Sequence, residues 1–155
     1  MSSAGASFPI TRFFATADGG SRFEDVTVPL TESRTDPFGN RYPMTLPLDV
    51  SNAAFVELPD GLDQDWHTAP NRQLVFVLSG TLEVETTEGE VRRWGQGTLV
   101  MADDTKGKGH RTRVLEGPAK LVFLRLPDDF RFPRTPFTPA YSSSSSRSNR
   151  KHTRS

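Results

Sequence analysis

The sequence predicts an all-β fold, a sandwich or a barrel. Turn signals recur every eight to twelve residues or so, no stretch carries an uninterrupted amphipathic helical pattern, and no motif repeats at a fixed period. With 155 residues, the chain suits one domain around one core.

Taken in order, residues 1–7 are small and polar and are expected to be disordered. Residues 11–16 and 22–28 read as strands separated by the Asp18-Gly19-Gly20-Ser21 turn, with Pro29 as a stop. Phe23 and Val26 cannot share a face under strict alternation, which predicts a bulge or register change between them. Residues 31–47 hold Pro37, Gly39, Pro43 and Pro47, spacing that predicts a loop with Phe38, Tyr42 and Met44 as aromatic and apolar anchors. Residues 53–58 read as a strand turned by Pro59-Asp60-Gly61, followed by a loop around His67.

Next come residues 72–79, RQLVFVLS, with Gln73, Val75 and Val77 on one face and Leu74, Phe76 and Leu78 on the other. Both faces are apolar, so this is a central strand covered on both sides. Residues 81–87 alternate Leu82 and Val84 with Glu83 and Glu85; residues 90–94 and 98–103 follow, turned by Gly95-Gln96-Gly97. In residues 110–114, His110, Thr112 and Val114 share a face while Arg111 and Arg113 take the other, so with the arginines in solvent His110 points inward. Residues 119–126, AKLVFLRL, form the most apolar strand, after a Glu116-Gly117-Pro118 turn. Prolines 127, 133, 136 and 139 then alternate with phenylalanines, and residues 141–155 form a Ser-rich basic tail too poor in apolar residues to fold.

Charge and composition exclude several classes. Lys+Arg and Asp+Glu balance at 19 each, but four of the basic residues, Arg147, Arg150, Lys151 and Arg154, sit in the tail, leaving 15 against 19 over residues 1–140. An acidic body lacks the basic face that phosphate-backbone binding needs, so nucleic acid is not an expected partner. The absence of cysteine removes thiolate nucleophiles, disulfides and Cys-ligated zinc. The N-terminal residues lack the basic start and apolar core of a secretory signal, and no apolar run nears the roughly 18 residues of a spanning helix. A cytoplasmic protein without membrane partners is the expectation.

Two histidine stretches carry the chemistry. Asp65-Trp66-His67-Thr68-Ala69-Pro70 opens the central meander and Thr105-Lys106-Gly107-Lys108-Gly109-His110 closes it. The arrangement resembles the cupin family. Anchoring the first cupin motif, G-x5-H-x-H-x3,4-E-x6-G, on Gly80 places Gln73 at its glutamate, Ala69 at its second histidine and His67 at its first. In the second motif, G-x5-P-x-G-x2-H-x3-N, His110 takes the histidine and Gly107 the preceding glycine, while Thr105 and Val114 stand for proline and asparagine. The resemblance implies a single cupin-type antiparallel β-barrel, a double-stranded β-helix or jelly-roll, over residues 8–140 with disordered termini. It implies a small-molecule site in the barrel, with His67, Gln73 and His110 as ligands of a divalent transition metal, Zn, Ni, Fe or Cu.

A site of two imidazoles and a neutral amide holds a divalent cation weakly, because nothing in it is anionic. The residues therefore leave two readings open. In one, the three side chains bind a metal, with Asp65, Asp103 or Asp104 supplying a carboxylate. In the other they form a metal-free pocket with His67 and His110 as acid and base and no cofactor. Trp66 is a candidate wall of the pocket, and Lys108 a candidate contact for a carboxylated ligand. The function expected is binding of a polar or carboxylated small molecule, with turnover of oxidoreductase (dioxygenase), isomerase or lyase type. The alternative is a non-catalytic ligand-binding or structural barrel. A homodimer through Leu74, Phe76 and Leu78 or through the Phe-rich ends is expected to cover the outer face, with the chain's own N- and C-terminal segments as the competing cover.

Overall fold

The computed structural model describes residues 5–132. The expected Ser-rich tail, the Phe137 region and the first four residues lie outside the described residues. Those described form ten strands and no helix: β1 (Ser7–Ala15), β2 (Ser21–Pro29), β3 (Glu32–Thr35), β4 (Arg41–Met44), β5 (Asn52–Leu58), β6 (Asp63–His67), β7 (Gln73–Glu85), β8 (Val91–Trp94), β9 (Leu99–Asp103) and β10 (His110–Arg125). The all-β class is as expected. Among the described residues no helix is long and apolar enough to cross a membrane.

The chain divides into two compact units. One comprises residues 9–27 and 48–130 and is built on two long bent strands, β7 and β10, paired antiparallel along most of their lengths. The sequence suggested that each was two strands parted by a turn. Gly80 instead lies within β7 at φ 86°, and a side chain there would meet the Ala119 Cα at 2.7 Å. The absence of a Cβ lets β7 bend against β10 without breaking. β10 answers with register shifts on either side of Glu116.

The bend gives each long strand two arms. The first arm of β7 pairs with β9 and with the second arm of β10, which β5 flanks. The second arm of β7 pairs with β8 and with the first arm of β10, which β6 flanks. β1 joins β9 in parallel register, a departure from the wholly antiparallel barrel expected. Between the arms lies the core, including Phe13, Val77, Val84, Trp94, Val100 and Leu121, all buried.

Face assignments read from alternation hold on the central strands. Val75, Val77, Leu82, Val84 and Val114 all belong to the core. On the opposite face Leu78 is half exposed, whereas Leu74 is buried within the chain itself. In β2 the buried positions pass from Ser21 and Phe23 to Val28, with Val26 half-buried, which is the change of parity expected there.

The other unit includes residues 28–47, and a loop was predicted over 31–47 of these. The chain forms a hairpin instead, pairing Glu32 with Met44 through to Thr35 with Arg41. Pro43 is tolerated because a two-stranded ribbon consists of edges, and an edge position need not donate a ladder hydrogen bond. The Asp36 carboxylate closes the turn by accepting the Phe38 and Asn40 N–H groups. Phe38, expected as an anchor, is 87% exposed.

Candidate functional site

Between the arms is a cavity of about 230 Å³. Most of its wall is apolar, from Phe13, Val75, Val77, Leu82, Val84, Trp94, Val100, Leu121 and Phe123. Its polar groups come from His67, His110, Gln64, Gln73, Thr68 and Thr112. Three of the predicted site residues, His67, Gln73 and His110, thus share one cavity.

Local structure explains how the histidines meet. β6 and β10 pair antiparallel with His67 opposite His110, and Gln64 opposite Thr112. Three steps on β6 match two on β10, so β6 carries one extra residue, a β-bulge. The bulge offsets the alternation and allows both Gln64 and His67 to line the cavity. His67 therefore ends a strand, where the sequence suggested a loop. The imidazole ring centroids of His67 and His110 are 4.5 Å apart, and the Phe13 ring packs edgewise on His110 at 4.7 Å.

Each imidazole is held by its Nδ1. His67 Nδ1 donates to the Asp65 carbonyl at 2.7 Å, which fixes a proton on Nδ1 because a carbonyl only accepts. His110 Nδ1 pairs with Asp104 Oδ2 at 2.6 Å. Asp104 is wholly buried, and its Oδ1 has no hydrogen-bond partner among the described residues. Its backbone carbonyl accepts the Ala69 N–H, tying the loop after β9 to the segment after His67. Neither Nε2 has a hydrogen-bond partner among the described residues.

Trp66 and Lys108 do not line the cavity. Trp66 precedes His67 on an extended strand and so points away from it. The Lys108 ammonium sits 4.7 Å from the centroid of the Trp66 ring, a cation–π pair outside the cavity. Among the described residues no lysine or arginine lines the cavity, and the contact expected between Lys108 and a carboxylate is not formed by this arrangement.

The resemblance implied a divalent metal, and the residues can be tested for fit. Two imidazoles this close could share an ion, and anchored Nδ1 groups are what metal-bound histidines show. Catalytic zinc sites, however, take three protein ligands, usually histidines, carboxylates or thiolates. Among the described residues no three His, Cys, Asp or Glu side chains are grouped to hold a metal. Asp104 commits Oδ2 to His110 Nδ1, on the ring edge away from Nε2, and Asp103 pairs with Arg12 and Arg72. What remains is two imidazoles and the neutral Gln73 amide. The donor set does not fit a resident metal.

No family model matches the chain, and no curated protein matches it. Solved structures do. The chain is similar to a protein of Neisseria meningitidis at 24% identity, covering 51% of this chain and 81% of that one with a TM-score of 0.41. It is similar to an RmlC-like cupin protein from Desulfovibrio desulfuricans at 19% identity, covering 47% and 69% with a TM-score of 0.37. A third is the cupin domain of Schizosaccharomyces pombe Cnp3, at 12% identity over 69% and 73% with a TM-score of 0.39. Two of the three are cupins by name.

Proposed function

We propose that this chain is a small cupin-type protein whose cavity binds a small molecule with an apolar body and one polar head, and that His110 and His67 move a proton on that head. The observation supporting the reading is a set of polar side chains, His67, His110, Gln64, Gln73 and Thr112, that line an apolar cavity without hydrogen-bonding to one another. A polar group left unpaired on burial costs about 1–3 kcal/mol, so a cavity with Gln73, His110 and Thr112 buried in its wall is suited to a ligand that hydrogen-bonds them. An apolar cavity of about 150 Å³ admits benzene, so the present one has room for a ring of that size carrying a few further atoms.

Chemically, an imidazole with Nδ1–H engaged offers Nε2 as general base, and the proton that this Nε2 takes up can be returned from it to another atom of the same ligand. That is the chemistry of an isomerase or a lyase acting next to a hydroxyl or carbonyl. The test is a small-fragment screen read by histidine-selective ¹⁵N NMR, with His67→Ala and His110→Ala as controls. Fragments that move both imidazole signals in the wild type and bind neither variant support the reading. Stoichiometric metal in protein purified without chelator, and lost on His67→Ala, would replace it with the metal reading. Tight binding with no proton exchange into the ligand would reduce it to a non-catalytic binding barrel.

A further inference from the structure

We infer that Asp104 is a positioning residue acting through His110, and that by fixing the His110 tautomer it makes the polar end of the cavity select a head group bearing its own proton, a hydroxyl or N–H, over a carboxylate. The inference deepens the small-molecule reading above and rests on it for the ligand class.

The carboxylate is 0% exposed and within 2.6 Å of the ring nitrogen, while its second oxygen has no partner among the described residues. A buried charge held by a single hydrogen bond is an expensive arrangement, tolerated where it performs work on its neighbour. The work available here is tautomer selection. A carboxylate that accepts from the ring holds a proton on His110 Nδ1, and the neutral ring then leaves Nε2 a lone pair. Asp for Asn exchange behind a catalytic histidine leaves geometry intact and gives the wrong tautomer.

The ligand class follows from charge and hydrogen-bond sense. With His67 Nδ1–H bonded to the Asp65 carbonyl and His110 Nδ1–H to Asp104, each ring in its neutral form presents Nε2 as an acceptor. A hydroxyl can donate to Nε2 and accept from the Gln73 amide, which lines the same cavity. A carboxylate would face two lone pairs with the Asp104 charge behind them. Among the described residues no lysine or arginine lines the cavity to offset it.

The experiment uses the full chain. Two-bond ¹H–¹⁵N correlation spectra of the imidazoles, assigned with His67→Ala and His110→Ala, are recorded for wild type, Asp104→Asn and Asp104→Ala, each checked for folding by circular dichroism. The wild type should show His110 protonated on Nδ1 with Nε2 bare, and both Asp104 variants should shift the proton to Nε2. Unchanged His110 signals in folded variants would overturn the inference, whatever the cavity binds. Phenol and benzoate are then titrated into wild type and Asp104→Asn. Phenol should bind the wild type roughly tenfold tighter or more, and the preference should shrink in the variant. Benzoate binding the wild type as tightly as phenol would overturn the ligand class. If neither probe moves either imidazole, the ligand class fails together with the small-molecule reading, and the tautomer result alone decides the role of Asp104.

Discussion

Gly109 is the position where one added methyl group should most directly damage the site. It sits at φ 81°, and a Cβ built on it would overlap the His67 carbonyl and stand 2.7 Å from the Thr68 nitrogen. Ordinary contact begins near 3.4 Å, so β6 has to retreat from β10 at the very pair that brings His67 beside His110. The left-handed backbone costs an L-residue about 1–2 kcal/mol. Forcing a methyl group into packed backbone adds about 1–3 kcal/mol. Gly109→Ala should therefore destabilise by about 2–5 kcal/mol, a fall in Tm of roughly 5–15 °C for a chain of this size. Gly89→Ala is the matched control, because Gly89 has φ 89° and nothing within 4 Å of the added Cβ. It should pay only the backbone strain of about 1–2 kcal/mol. Thermal and urea denaturation measure both. Equal losses for the two variants would refute the close approach of Gly109 to His67, as would Gly109→Ala protein with wild-type imidazole signals.

Three further outcomes are expected. His110→Ala leaves the buried Asp104 carboxylate unpaired and should cost about 3–5 kcal/mol, whereas His67→Ala, half-buried and bonded only to a carbonyl, should cost much less; equal urea midpoints would contradict the dyad. Glu83 is held below its ordinary value of 4.5 by hydrogen bonds from Arg113 first and Arg93 second, so its contribution is complete above that value and lost as pH falls through the lowered one. Glu83→Gln should therefore be less stable than wild type at neutral pH, with the gap closing in acid, and a gap that widened would reverse the sign. The proposed homodimer would use Leu78, 50% exposed, and the outward row in which Phe55, 85% exposed, pairs with Val122 and Val122 with Phe76; Phe55→Asp should give monomers by sedimentation, and a wild type already monomeric at micromolar concentration would end the proposal.

Much of the fold was legible because period-two alternation is a property of one strand at a time. Gln73, Val75 and Val77, and likewise His110 and Thr112, could be assigned to one interior without knowing their partners, and all five line the cavity. What depends on two strands together was not legible. Gly80 looks like a turn residue until β10 is packed against it, and Pro43 looks like a strand breaker until its partner shows the ribbon to be all edge. The bulge in β6 is the same kind of fact, since only the register against β10 shows the extra residue that brings Gln64 into the cavity and leaves Trp66 out.

Asp103 and Asp104 show how far alternation could have gone. The sequence offers two adjacent carboxylates, and neither was preferred over the other. On β9, Val100 and Ala102 line the cavity, so Asp103 must leave on the opposite face, where it pairs with Arg12 and Arg72. Carried one residue beyond the strand, the same alternation puts Asp104 on the side of Val100 and Ala102, and there it meets His110. A carboxylate placed so by the backbone, and buried with no lysine or arginine paired to it among the described residues, has the imidazole to act on. The charge of Asp103 is thus spent on holding β1 and the start of β7 together through arginines. That of Asp104 is spent on the orientation of one ring, which is why replacing the second should alter chemistry where replacing the first alters stability.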